Sequence, residues 1–306
     1  MTKERIQGHL LILSANLIFG LNTPISKWLL SEKLDASLHT MLRMFIAGLL
    51  FWIASLFVER QKVPLSDLLK LMVCGLCGIA INQYLFIVGL SVTSPVDASV
   101  IVTSTPIFVM IFAAFILKEP ITLLKCGGVF MGAMGAIWLI ISAGGDSGAR
   151  SSIWGDMLAL ISSFIYSFYF VISKPLAQKY SAVTMMKWMF LFGFIALIPF
   201  NYRSVFFFEG VKADLDFKAI GAIFYVCVFA TFLAYFLIPM AIKRIRPTTA
   251  SMYNYIQPIT SSAIAIIAMQ DAFSIQKLLA ATMIFAGVFM VTKSKARRDI
   301  EARKAA

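Results

Sequence analysis

Residues 95–119 and 247–271 carry the same pattern twice. Pro95, Ala98, Ser99, Pro106 and Glu119 return at a constant offset of 152 as Pro247, Ala250, Ser251, Pro258 and Asp271. Earlier in each half the offset is 147, so Gly8 and Lys27 fall on Gly155 and Lys174. The chain is therefore one unit of about 140 residues used twice. Apolar runs of the length needed to cross ~30 Å of hydrocarbon lie near 9–30, 38–58, 67–90, 96–117 and 122–142 in the first copy. In the second they lie near 153–173, 183–200, 219–242, 248–269 and 275–292. Five crossings per copy is an odd number, so the second copy must insert in the opposite direction. The predicted fold class is an all-α integral membrane protein of ten transmembrane helices, arranged as two inverted five-helix repeats. Secondary transporters are commonly built this way. The first repeat occupies 8–142 and the second 152–293, with a basic cytoplasmic tail at 294–306.

Composition excludes a soluble domain. Hydrophobic residues make up 60% of the chain and charged residues 14%, against about 25% charged in soluble proteins. The connections between spans are short; the longest, 201–218, carries Phe206, Phe207 and Phe208 among mixed charges and is expected at the membrane interface. The first span is too long, and lacks the small-residue cleavage site, for a removable signal peptide. The net charge of +12 does not point to nucleic acid, because no basic patch alternates with aromatics and no groove-reading motif occurs. It reports topology and contact with anionic lipid headgroups. With the N-terminus inside, nineteen Lys and Arg fall on the inner side and six on the outer: Lys33, Arg150, Arg203, Lys212, Lys218 and Lys277. That bias places both termini in the cytoplasm of a multi-pass inner-membrane protein. Cys74, Cys77, Cys126 and Cys227 sit in apolar spans, and the CxxC pair at 74–77 has no second pair or nearby histidine to complete a metal site.

Ionisable and polar groups inside hydrocarbon cost about 2.5–3.5 kcal/mol each, so each needs a reason. Arg43 lies about 7.5 Å inside its span at 1.5 Å per residue. Pairing with Asp97 or snorkelling to the headgroups is the simpler reading; contact with a substrate carboxylate is the alternative. Lys27 and Lys174 end equivalent helices at opposite mouths of one pathway, as gate residues or interfacial anchors. Glu119 and Asp271 precede helix starts, where an acid complements the positive end. Pro106 and Pro258 fall near the middle of helices four and nine, where proline removes a backbone bond and bends the helix. Matched breaks of this kind mark binding sites and hinges in repeat transporters. Around them stand Asn22, Gln83, Thr105, Tyr169, Tyr235, Tyr253, Asn254 and Gln257, with Asn82, Tyr84, Thr103 and Tyr166 alongside. Such groups should face the bundle interior, as substrate contacts or as interhelical glue. Tyr253 and Gln257, four apart, are expected on one helix face. Gly128 and Gly132 form a GxxxG, which packs against a neighbour within the fold or against a second copy in a homodimer.

The stretch Phe19-Gly20-Leu-Asn22-Thr-Pro24-Ile-Ser-Lys27 resembles the first-helix pattern of the EamA domain, in the drug/metabolite transporter superfamily. Arg43, within Leu42-Arg43-Met44-Phe45, resembles that domain's second-helix arginine. The run from Gly89 through Ala98 and Pro106 to Lys118-Glu119-Pro120 resembles its fourth-helix signature, and the likeness covers 8–293. The resemblance implies two inverted five-helix bundles, with helices one to four and six to nine around a central cavity and helices five and ten outside. It also implies movement of small metabolites, amino acids or drugs, commonly outward. The second half departs from the pattern: Phe190 stands where symmetry with Arg43 would put an arginine, and Asp271 replaces the glutamate. The expected function is a secondary transporter, an exporter working by alternating access. No cofactor is expected, and no GxxxxGK[ST] loop is present to bind ATP. The alternatives are an intramembrane enzyme acting on a lipid or peptide, or a channel. The only histidines are His9 and His39, and neither GxSxG nor HExxH occurs.

Overall fold

The computed structural model describes residues 3–93, 98, 101–142, 152–207, 209–267 and 275–294. Among the described residues the ordered elements are helices, joined by one isolated bridge between Leu34 and Val211. Hydrocarbon offers no water to backbone N–H groups, so each apolar segment must satisfy its own. The helices are α1 (Lys3–Glu32), α2 (Ala36–Ala54), α3 (Leu65–Val92), α4 (Thr105–Ile116) and α5 (Leu123–Ser142). The second half supplies α6 (Ile153–Lys179), α7 (Ala182–Phe200), α8 (Phe217–Arg244), α9 (247–267) and α10 (Ile275–Lys293). Six of these, α1, α2, α3, α6, α7 and α8, are long and apolar enough to cross a membrane. The chain is a multi-pass membrane protein. Phe115, Leu123 and Phe217 are turned outward, while Ala, Met and Gly fill the interior.

Apart from a 3-10 turn that closes α7 at Ile198–Phe200, four places among the described residues depart from α-helical pitch, and they fall in matching pairs. A π turn runs through Leu76–Ile81 of α3 and another through Tyr225–Leu233 of α8. Moved by 152, the first ends on the last residue of the second. In α9, Met252–Tyr255 tightens to a 3-10 turn ahead of Pro258, and the chain turns at Thr103–Ser104 ahead of Pro106. The sequence pattern put the bend at the prolines; it falls instead on their N-terminal side. A proline nitrogen cannot donate to the carbonyl four residues back, which here belongs to Val102 and Asn254.

The two halves also make matching contacts. The Lys27 Nζ donates to the carbonyls of Leu90 (2.7 Å) and Thr93 (3.0 Å) at the end of α3. The Lys174 Nζ donates to those of Ile242 and, at 2.9 Å, Ile245 at the end of α8. These are equivalent residues at the offset of 152. Each lysine thus satisfies helix-terminal carbonyls that have no donor of their own. Gly8, near the start of α1, packs on Ala241 and Ile245 of α8, while its mate Gly155 packs on Gly89 and Thr93 of α3. The C-termini of α3 and α8 therefore lie at opposite ends of α1.

Helices α5 and α10 pack through glycine. A Cβ on Gly287 would sit 2.6 Å from the Gly128 carbonyl oxygen, and one on Gly135 would sit 2.8 Å from that of Ala280. Gly132 receives the Tyr255 ring. The GxxxG face is filled from within the chain.

Glu119 differs from the helix-end role read from sequence. Lys118 adopts a left-handed φ of 53°, turning the chain so that the Glu119 carboxylate accepts from Lys125 Nζ (2.7 Å) and Thr248 Oγ1 (2.8 Å). The start of α5 is capped by Thr122, whose hydroxyl accepts from Lys125 N. Lys125 is fully buried, and a buried cation must be paired to be tolerated. The glutamate neutralises it and ties α9 to the first half. Asp271 lies outside the described residues.

Gly287→Val should lower stability in detergent by about 1–3 kcal/mol, as overpacking does. Gly221→Ala, where nothing lies within 4 Å of the new methyl, should be neutral or stabilising by up to ~1 kcal/mol. Thermal unfolding of the two purified variants checks both.

Candidate functional site

The departures from regular helix converge on one internal cavity of about 110 Å³. Both halves wall it. Phe19, Asn22 and Thr23 come from α1, Arg43 from α2, and Asn82, Gln83 and Phe86 from α3 just beyond its π turn. Val102 and Thr105 flank the turn before α4. Ser162, Ser163 and Tyr166 come from α6, Tyr235 from α8, and Asn254 and Gln257 from α9 on either side of its change of pitch. The two residues whose carbonyls lose a donor to proline, Val102 and Asn254, both line it.

Of the residues selected from sequence, Asn22, Arg43, Gln83, Thr105, Tyr235, Asn254 and Gln257 are brought together here. Arg43 neither snorkels nor pairs with an acid among the described residues. It is 4% exposed, and its Nε donates to Thr231 Oγ1 at 2.9 Å. The Thr231 hydroxyl donates in turn to the Val226 carbonyl, five residues back within the π turn. Asp97 lies outside the described residues. One turn before Arg43, His39 is buried with neither ring nitrogen hydrogen-bonded. Gln83 sits beside the Tyr235 phenol, yet neither of its amide atoms makes a well-formed hydrogen bond. Gln257 Nε2 donates to Asn16 Oδ1 (2.9 Å), and Asn82 Nδ2 donates to Ser162 Oγ (2.9 Å).

Other selected residues sit elsewhere. Tyr169 is fully buried behind the cavity, its ring over Gly78. A Cβ at Gly78 would fall 2.4 Å from that ring, so the glycine makes room for it. Tyr253 leaves the face of Gln257 because the 3-10 turn rotates it away; its hydroxyl bonds His9 Nδ1 at 2.8 Å. Lys27 and Lys174 cap helix ends, and Lys174 also lines a basic pocket of about 450 Å³ beside His9. Pro258 borders a small void of about 20 Å³ continuous with the cavity wall, whereas Pro106 lies behind Thr105.

Ser162, Ser163, Phe19, Thr23 and Phe86 line the cavity without having been selected. Ser163 carried a signal: it is the repeat mate of Asn16, the partner of Gln257. The π turns carried none: Leu76–Ile81 is apolar throughout, and Tyr225 and Thr231 in the other turn give no sign of local pitch. The cavity is polar and aromatic with one cation. Among the described residues no carboxylate or histidine lines it, and no His, Cys, Asp or Glu cluster could hold a metal.

Comparison with known proteins places the architecture. The profile of the EamA-like transporter family matches residues 6–141 and 153–293. The uncharacterized transporter YetK of Bacillus subtilis is 20% identical over 98% of this chain and 91% of its own length. An uncharacterized transporter of Archaeoglobus fulgidus is 25% identical over 83% and 87%. The uncharacterized inner membrane transporter YicL of Salmonella typhimurium is 22% identical over 95% and 97%. A solved crystal structure of a protein 18% identical shares the fold, with a TM-score of 0.74 over 94% of this chain and 96% of that one. With both copies of the repeat matched across nearly the whole sequence, the chain belongs to the EamA-like transporter family, within the drug/metabolite transporter superfamily, and is a membrane transporter.

Proposed function

We propose that the protein is a secondary transporter that exports small metabolites across the inner membrane by alternating access, with the central cavity as its transport site. Its ten helices form two inverted five-helix repeats, and both termini are cytoplasmic. The observation that carries this reading is a polar cavity walled by both halves at their matched helix breaks. Broken helices meeting at a repeat interface supply unsatisfied polar groups in places where a solute is the natural partner. Inversion is supported by the packing of α1, whose two ends meet the C-termini of α3 and α8. Because α1 and α3 run in the same direction, α8 must run against both.

Two rungs close one end of the site. Asn16–Gln257 and His9–Tyr253 join α1 to α9 between the cavity and a basic vestibule of about 450 Å³. Arg5, Arg244, Arg246 and Lys293 line that vestibule. A rim of this charge suits the anionic headgroups of the cytoplasmic leaflet. The lining also favours transport over catalysis: among the described residues of the cavity wall, no acid or histidine accompanies Ser162 and Ser163 to act as a base.

Asn254→Ala and Gln257→Ala should each reduce solute counterflow in proteoliposomes at least tenfold while leaving membrane insertion unchanged. Gly221→Ala, on an exposed face with nothing within 4 Å of the new methyl, should keep the flux. Wild-type flux in both the Asn254 and Gln257 variants would remove the cavity from the transport path. Single cysteines placed at Asn22 and Asn254 in a cysteine-free background should react with impermeant thiol reagents added from either side. Labelling from one side alone, under all conditions, would exclude alternating access.

A further inference from the structure

The wall of the cavity carries its charge on one side only. Arg43 is 4% exposed, its Nε is fixed by Thr231, and no hydrogen bond or ion pair among the described residues engages either Nη nitrogen. An unpaired buried charge is costly. A partner carried in by the solute would offset that cost in the bound state alone.

Symmetry sharpens the point. The repeat mates of Arg43 and Thr231 are Phe190 and Ile79, an apolar pair at the contact of α7 with the π turn of α3. The polar arrangement is therefore built once, on the α2–α8 side. The same lining offers the neutral amides of Asn22, Asn254 and Gln257. Among the described residues no carboxylate lines the cavity.

We propose that the transported solute is a small monocarboxylate with no ammonium group, its carboxylate held by Arg43 and its neutral hydrogen-bonding portion by these amides. This rests on the cavity being the transport site. A guanidinium presents two parallel N–H donors that match a carboxylate. A zwitterion would leave its ammonium without an anion, and a dicarboxylate would bury a second anion without a cation. At about 110 Å³ the space is well below the ~300–1,000 Å³ of sites that take drug-sized ligands, so the solute is a compact acid bearing a hydroxyl or oxo group. Thr231 is a positioning residue, holding the guanidinium through the π-turn carbonyl of Val226.

The test is thermal unfolding of the purified full chain in nanodiscs with lactate, pyruvate, lactamide, alanine or malonate at equal concentration. Lactate and pyruvate should raise the melting temperature; lactamide, alanine and malonate should not. Arg43→Gln should weaken carboxylate binding at least tenfold, Arg43→Lys should restore part of it, and Thr231→Val should weaken it severalfold. The comparison among solutes uses the wild-type chain, so it stands even where an Arg43 variant folds poorly. Equal shifts with lactamide or alanine, no shift with either monocarboxylate, or unchanged binding in a folded Arg43→Gln would overturn the proposal. Loss of flux in the Asn254 and Gln257 variants without carboxylate binding would refute this solute class and leave the transport site intact. Carboxylate binding with wild-type flux in those variants would do the reverse.

Discussion

Inside hydrocarbon a polar group has to be satisfied by the chain itself, because no water is present to do it. Most of the architecture can be traced to that constraint. It makes every described element helical, and it brings Lys27 and Lys174 to the carbonyls left open at the ends of α3 and α8. It also explains why buried Lys125 draws Glu119 away from the start of α5. Two of the places where the constraint is left unmet, the Arg43 guanidinium and the Gln83 amide, face one cavity, and His39 and Tyr169 lie unpartnered elsewhere in the bundle. A soluble protein with the same groups would hydrate them, and their distribution would carry far less information.

The halves share a scaffold and divide the chemistry. Contacts that hold helices together recur at the repeat offsets: the lysine caps, Gly8 with Gly155, and the pair Gly128–Gly287 with Gly135–Ala280. Contacts that face the cavity do not recur. Arg43 is matched by Phe190, Gln83 by Tyr235, and Thr231 by Ile79. A two-fold frame supports exchange between two similar conformations. Of the residues that break the repeat, Arg43, Gln83 and Tyr235 line the cavity, which makes its wall asymmetric.

Much of this was legible in the sequence. The repeat and the apolar runs located the helices, since duplication and hydropathy are properties of composition and order alone. Seven of nine residues selected as solute contacts line the cavity, because amides, an arginine and a phenol in an apolar span have few other places to go. The two misses share a cause. Tyr253 was placed by assuming 3.6 residues per turn through a segment that tightens to 3-10, and Tyr169 is carried behind the wall by its packing on Gly78. Local pitch depends on tertiary packing and on which carbonyl a proline abandons, so periodicity fails where the helix is irregular. Arg43 was misjudged for a related reason. Its anchor, Thr231, lies 188 residues away in sequence, on a π turn that no local pattern in Tyr225–Leu233 announces.

The π turns also record something about the origin of the chain. A π turn accommodates one residue more than the α-helix around it, so it is the trace of a single-residue insertion. Two such traces end at the same repeat position, Ile81 and Leu233. One insertion before the duplication accounts for both, whereas two independent insertions at one register would be a coincidence. The irregular helix is then older than the two-copy chain. Thr231 has a hydroxyl where its mate Ile79 has none, so the arginine anchor belongs to one copy alone. Duplication freed the two walls of the cavity to differ.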